Sequence, residues 1–380
     1  KAYLCAMLSR IGFTTYLALL LLAIGCGGRA SMGIDSFSHD LYTPTHASGY
    51  IIASDDEGNT LIRVTRPWQG EATIEQRLAI FASKEHAEGY EGEHIIGHAE
   101  RIVCMSSSHI AMLDAIGKNG SIVGVSGKQY IFNPEVSDNP AVIDIGYDSN
   151  IDYEALLALR PDIVLMYGIT AENSAVTAKF RELNIPYLYL GDYTEQSPLG
   201  KAEWLVVIGE IVGCRELSAE IFAGIEERYN AIKASVTSTK RPKVMFNMPY
   251  QDVWYMPSDD SYMVQLLEDA GGEYIYKGKN LAGGSKAISL EEALLLVNSA
   301  DIWLNPSQVT SLDELCASAP HFADCGVVKR GEVYNNNRIR TANGGSDFWE
   351  SATVRPDVVL NDMATIMRGA EDELHYHHKL

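Results

Sequence analysis

The chain has 380 residues, which at about 150 residues per domain points to two or three folding units. Its 46% hydrophobic and 21% charged residues can bury a large core, which sets it apart from disordered and collagen-like chains. Fifty acidic against thirty basic side chains give a formal net charge of -20, which argues against nonspecific nucleic-acid binding, and six cysteines without a CxxC pair argue against a disulfide scaffold or a structural zinc site.

Residues 17–24 read LALLLLAI, an apolar run far short of the ~20 residues that span a bilayer. Arg10 precedes it and small residues follow, the pattern of an export signal. The run ends in Gly25-Cys26, which resembles a bacterial lipobox, so residues 1–25 are expected to be a lipoprotein signal peptide and Cys26 the lipidated residue. The alternative is a soluble secretory signal. Either one places the working protein outside the cytoplasm, and lipidation makes it a membrane-anchored periplasmic lipoprotein. Residues 26–47 are rich in Gly, Ser, Asp and His without apolar period and are expected to form a tether. Residues 48–100 form a β-rich extension, with a hairpin of 50–54 and 60–65 turning through Asp55-Asp56-Glu57-Gly58-Asn59.

From Arg101 short apolar strands alternate with helical stretches: 101–105, 122–125, 142–146, 162–166 and 188–190 read as strands, with helices starting at His109 and spanning 151–159. Such alternation specifies a parallel α/β sheet. The theme returns after Lys243, with strands at 243–247 and 301–305 and helices at 262–270 and 290–297. Between the halves, ELSAEIFAGIEERYNAIKAS (216–235) carries apolar residues at Leu217, Ile221, Ile225, Tyr229 and Ile232. That spacing predicts a helix of ~30 Å, long enough to run across two domains. An ordinary surface helix has the same period. The fold class is therefore α/β, with an N-terminal lobe at 101–214, an interlobe helix at 215–237, a C-terminal lobe at 238–380 and the small β hairpin region in front.

The strings RIVCMSSSHIAMLDAIG, IDYEALLALRPDIVLMYG, RPKVMFN, VQLLEDAGGEYIY, ISLEEALLLVNSADIWLNP, GEVYNNN and DFWESATVRPDVVLNDMATIM resemble the periplasmic substrate-binding proteins that deliver iron-siderophores, haem and vitamin B12 to ABC importers. The resemblance runs from about Arg101 to the C-terminus. It implies a monomer with two lobes joined by one long rigid helix, a ligand in the shallow cleft between them, small lobe closure and no catalytic group. It also implies one permease-docking glutamate per lobe. Glu154 stands at the N-lobe position and Glu268 at the C-lobe one, each able to accept a bidentate arginine contact; the plain alternative is two solvated helix carboxylates.

In α/β lobes ligands gather beyond the carboxyl ends of strands. The loops there offer Ser107, Ser108, His109, Lys128, Tyr130, Tyr167, Tyr193, Tyr250, Trp254, Asn305 and Asn336 as ligand contacts, with Asp192, Tyr255 and Asn337 beside them. Twenty tyrosines supply flat faces for a corrin or porphyrin. Ser106, Ser107 and Ser108 serve equally as helix caps, and His109 is either an axial ligand or a capping residue. In 252–256 alternation sends Trp254 and Tyr255 to opposite faces, so at most one meets the cleft. Phe348 and Trp349 are expected to pack the C-terminal helices. His375, His377 and His378 are expected in a frayed or packed terminal helix, and Cys316 and Cys325 are spaced for an optional disulfide.

The expected function is capture of cobalamin, haem or a ferric siderophore, preferably a largely neutral one, and delivery to a permease of the B12/iron-siderophore type. No cofactor or metal of the protein's own is expected. The rival readings are an exported serine hydrolase using His109, against which the missing GxSxG speaks, and a surface receptor that couples to no permease.

Overall fold

The computed structural model describes residues 34–69, 74–169, 171–238, 240–280, 284–370 and 373–380. The expected signal peptide and Cys26 lie outside the described residues.

The chain opens on a five-stranded sheet in sequential order, β1 (His39–Tyr42), β2 (Tyr50–Ser54), β3 (Thr60–Val64), β4 (Gln76–Phe81) and β5 (His94–Ile96). The first four run antiparallel and β5 pairs parallel to β4. The expected hairpin is thus the centre of a larger sheet, and the second half of the expected tether belongs to it. Two buried carboxylates explain why. Glu203 accepts the backbone N–H groups of Thr45, His46 and Ala47 at 2.7–2.8 Å and the Tyr42 hydroxyl at 2.9 Å. Glu195 accepts the N–H groups of Ser48 and Gly49 and the indole N–H of Trp204 at 2.9–3.0 Å. Chain that has no strand partner still needs acceptors for its buried N–H groups, and these two side chains supply them.

The N-lobe sheet is wholly parallel, in the order β10-β9-β6-β7-β8, built from β6 (Ile102–Cys104), β7 (Ile122–Val125), β8 (Ile143–Asp144), β9 (Ile163–Tyr167) and β10 (Tyr187–Leu190). The central strand β6 is buried at every residue, as is the edge strand β10, the pattern of a parallel sheet covered on both faces. The C-lobe repeats the plan as β13-β11-β15-β16, with β17 (His378–Lys379) beyond β16. Here β11 (Lys243–Phe246), β13 (Glu273–Tyr274), β15 (Ile302–Leu304) and β16 (Val333–Asn335) are parallel. A side ribbon pairs β12 (Trp254–Met256) with β14 (Lys286–Ile288).

The tail departs from expectation. Rather than a helix it adds antiparallel strand β17 (His378–Lys379) to β16. Buried Asp362 fixes it by accepting the N–H groups of His375, Tyr376 and His377 at 2.7–3.0 Å. Among the described residues no group of His, Cys, Asp or Glu converges to hold a metal ion. Cys316 and Cys325 are free thiols.

Helix Arg215–Ser235 occupies the expected position. Ala219 packs against the N-lobe core, Ile221 against both cores, and Phe222, Ile225 and Tyr229 belong to the C-lobe core. Polar ties mark the same passage: Arg215 to Glu210 at 3.0 Å, Glu226 to His46 at 2.8 Å, Arg228 to Asp357 at 2.6 Å and Tyr229 to Asp269 at 2.7 Å. Among the described residues no helix is long and apolar enough to cross a membrane.

Candidate functional site

In the N-lobe sheet the chain proceeds from β6 outward through β7 and β8, then returns to the other side of β6 for β9 and β10. That reversal leaves a crevice beyond the carboxyl ends of β6 and β9, where neither neighbouring connection covers the sheet. The loops there carry Ser106, Ser107 and Ser108 after β6, Tyr167 and Ile169 at the end of β9, and Asp192 and Tyr193 after β10. All of them line one cleft of about 280 Å³, whose opposite wall comes from the C-lobe through Tyr262, Leu266, Phe348 and Trp349. The site is therefore interlobe, and its volume is near the lower end for small-molecule sites. A bulky ligand needs the lobes further apart than they stand here.

The helix Ser107–Ala115 starts at the cleft edge with Ser106 as N-cap, its hydroxyl accepting from Ser108 N–H. Ser107 Oγ reaches across the cleft to the Trp349 carbonyl at 3.3 Å. Lys201, on the helix Pro198–Glu203, brings a positive charge to the lining. Its ammonium lies 3.4 Å from Asp192 Oδ2 and 5.5 Å from the centre of the Tyr262 ring. The carboxylate and the ring face both compensate it, so the cleft presents aromatic surface with little net charge.

Behind this wall His109 is fully buried. Its Nε2 sits 4.0 Å from Asp192 Oδ1, and the Leu165 backbone is the other polar neighbour of the ring. Burial pulls its pKa down to about 4, outweighing the nearby Asp192 carboxylate, so the imidazole is neutral.

Of the residues expected at the site, Ser107, Ser108, Tyr167 and Tyr193 meet in the cleft. Trp254 is corrected: it is 0% exposed, donates its indole N–H to the Phe246 carbonyl at 2.9 Å and packs against Trp303 and Phe322. The β12 alternation puts Trp254 inward and leaves Tyr255 45% exposed. Lys128 is spent on the carbonyls of Asn139 and Val142, at 2.5 and 2.7 Å. Asn336 is buried in the loop beyond β16, its carbonyl accepting from Ser346 Oγ. Asn305 follows β15 with φ 58° and points its amide toward Met263 Sδ. Tyr250 is 69% exposed in a turn closed by Val253, and Tyr130 is exposed at the N-lobe rim. None of these six lines the cleft.

The DFWE segment was expected to pack, and its two aromatics divide. Phe348 is buried between Tyr376 and His377, whereas Trp349 is 54% exposed on the cleft wall. Lys201, Tyr262 and Trp349 were missed as site residues. Lys201 and Tyr262 sit in helix-forming strings whose helical character gives no hint of which face turns to a cleft.

A latch closes the lobes beside Trp349. The buried Glu350 carboxylate accepts the N–H groups of Phe132 and Asn133 from the other lobe at 2.9 and 2.8 Å. The backbones nearly touch next to it, because a side-chain carbon at Gly345 would lie 1.9 Å from the Tyr130 carbonyl oxygen. Burial pushes the Glu350 pKa up to about 7 against the two N–H donors, with Asp347 and Asp114 adding to the rise. The native protein therefore holds this proton up to higher pH than the unfolded chain does. Its contribution to stability is greatest below pH 4.5 and declines as pH rises to about 7. Denaturant melts at intervals across that range are expected to show the decline, and Glu350→Gln is expected to flatten it. An unchanged slope in the variant would assign it to other groups.

A groove of about 600 Å³ between the N-terminal sheet and the N-lobe is larger, but most of its charged side chains are already paired. Glu75 pairs with Arg63 and Arg77, and Arg181 with Glu172 and Glu93.

Residues 102–337 match the model of the periplasmic binding proteins, more than half of the chain, so the protein belongs to that family. It is 27% identical over 280 residues to an uncharacterized lipoprotein of Methanocaldococcus jannaschii, covering 70% of this chain and 64% of that protein. It thus spans somewhat less than two thirds of that relative's length. It is 23% identical over 282 residues to an uncharacterized ABC transporter substrate-binding lipoprotein, YvrC, of Bacillus subtilis, covering 72% of this chain and 78% of that protein. A periplasmic heme binding protein of Pseudomonas aeruginosa shares the fold, with a TM-score of 0.55 at 16% identity over 74% of this chain and 98% of the other.

Proposed function

We propose that the protein is the extracytoplasmic, lipid-anchored binding component of an ABC importer, that it captures a metal chelate of low net charge between its lobes, and that it hands this ligand to a membrane permease without chemical turnover. The observation that carries the reading is the interlobe cleft at the sheet's reversal point, walled by Tyr167, Tyr193, Tyr262 and Trp349, with its lysine charge compensated. Aromatic faces bury much area for few lost rotamers, which suits a flat guest such as a haem, a corrin or the face of a ferric siderophore.

Hand-off requires exposed contacts on both lobes. Glu154 is exposed in the first turn of the helix Tyr153–Leu159, where an acid favours the helix. Glu268 stands in the last turn of the helix Tyr262–Asp269, where an acid opposes the helix dipole, and it pairs with Lys277. A surface pair of that kind is worth about 1 kcal/mol or less, so a permease arginine can displace the lysine.

The test is Trp349→Ala assayed by calorimetry against haemin, cyanocobalamin and ferrichrome. Whichever chelate the unmodified protein binds is expected to bind the variant about ten- to a hundredfold more weakly. Equal affinities would move the site away from this cleft.

A further inference from the structure

The N-terminal sheet lies outside the matched family segment, yet its β3–β4 connection touches two of the N-lobe loops that wall the cleft, those after β9 and β10. Gln69 N–H donates to the Ile169 carbonyl at 3.0 Å. The Arg66 carbonyl accepts from Thr194 Oγ1 at 3.1 Å and lies so near Gly191 that a side-chain carbon there would come within 2.2 Å of it. Trp68 packs edge-on against Tyr189 at 5.5 Å and over the bare backbone of Gly168. One strand further on, Gln76 accepts the Tyr189 N–H at 3.2 Å, capping an edge of β10 beyond which the sheet has no strand among the described residues.

We infer that the segment 66–69 is a positioning element for ligand binding: it holds the loops bearing Tyr167, Ile169, Asp192 and Tyr193 in the geometry that receives the guest. The first of those loops leaves the sheet at its reversal and the second leaves its edge strand, and each carries an exposed apolar or aromatic side chain, Ile169 and Tyr193. A loop left free must be ordered when ligand arrives, and each immobilised side chain then weakens binding. Clamping from outside removes that loss in advance and fixes the width of the cleft, and so the shape of guest accepted. Neither Trp68 nor Thr194 lines the cleft, so both act through the loops they hold.

The inference rests on the cleft being the ligand site, and two readouts separate its failure from failure of that reading. The first needs no ligand. In hydrogen–deuterium exchange, Trp68→Ala is expected to speed exchange by roughly tenfold in the peptides covering 165–169 and 190–195, with C-lobe peptides unchanged and Trp68→Phe close to the unmodified protein. Thr194→Val, a near-isosteric change, is expected to act at 190–195 alone. The second readout is calorimetry with haemin, cyanocobalamin and ferrichrome. Trp68→Ala is expected to weaken the bound chelate about three- to tenfold and to narrow its preference over the other two, with Trp68→Phe restoring both. Unchanged exchange in both segments overturns the inference even if no chelate binds. Faster exchange with unaltered affinity and preference for a bound chelate overturns it as well. A protein that binds none of the three contradicts the functional reading, while the exchange data still decide the clamp.

Discussion

Replacing Glu203 with glutamine is expected to cost about 3–5 kcal/mol of stability, the largest effect of any single conservative change considered. The carboxylate is fully buried and accepts three consecutive backbone N–H groups and the Tyr42 hydroxyl. Glutamine keeps the shape but turns an NH2 group toward donors, leaving buried N–H groups without an acceptor. Each such group forfeits about 1–3 kcal/mol. The damage should begin locally, because in the connection from β1 to β2 Glu203 holds Thr45 to Ala47 whereas Glu195 holds only Ser48 and Gly49. Urea melts and limited proteolysis check it: the variant should melt at lower urea and be cut early between Tyr42 and Tyr50. A loss below about 1 kcal/mol with no early cleavage would show that the strand pairing alone holds the extension.

The double substitution Glu154→Ala with Glu268→Ala is expected to leave chelate affinity within about twofold while reducing uptake in cells by tenfold or more. Neither carboxylate lines the cleft, although Tyr262 and Leu266 of the Glu268 helix do. Removing two contacts with arginines acts on assembly with the permease, where charged pairs set the rate and register of encounter. Measured together, calorimetry and uptake of the bound chelate separate three outcomes. Lost uptake with retained affinity supports docking through these residues. Lost affinity places them in ligand capture, and retained uptake leaves both as solvated helix carboxylates.

The parallel sheets were legible because β-strands buried on both faces read as short apolar runs, as in Ile163–Tyr167 and Ile302–Leu304. The helix Arg215–Ser235 was legible through its apolar spacing. Those signals are local. The site was only half legible, since which strand ends share a crevice depends on strand order. Ser107, Ser108 and Tyr167 lie on loops at the reversal and Tyr193 on the loop after the edge strand β10, and all four line the cleft. Lys128 and Asn336 lie on loops of the same kind that face other chain segments. Trp254 shows the limit of alternation, which fixes that neighbours diverge but leaves open which of them turns inward. The N-terminal sheet was underestimated because part of its cohesion comes from Glu195 and Glu203, more than 140 residues away, and a carboxylate's distant partners leave no mark on a sequence.

The most direct measurement is titration of the purified protein with haemin, cyanocobalamin and ferrichrome, followed by calorimetry and by the fluorescence of Trp349, the cleft tryptophan, against a Trp349→Phe control. Saturable one-to-one binding of one chelate with a dissociation constant in the micromolar range or tighter, and a signal change lost in the control, is the expected result. Absence of binding by all three, or binding whose fluorescence change persists in full without Trp349, would contradict chelate capture between the lobes.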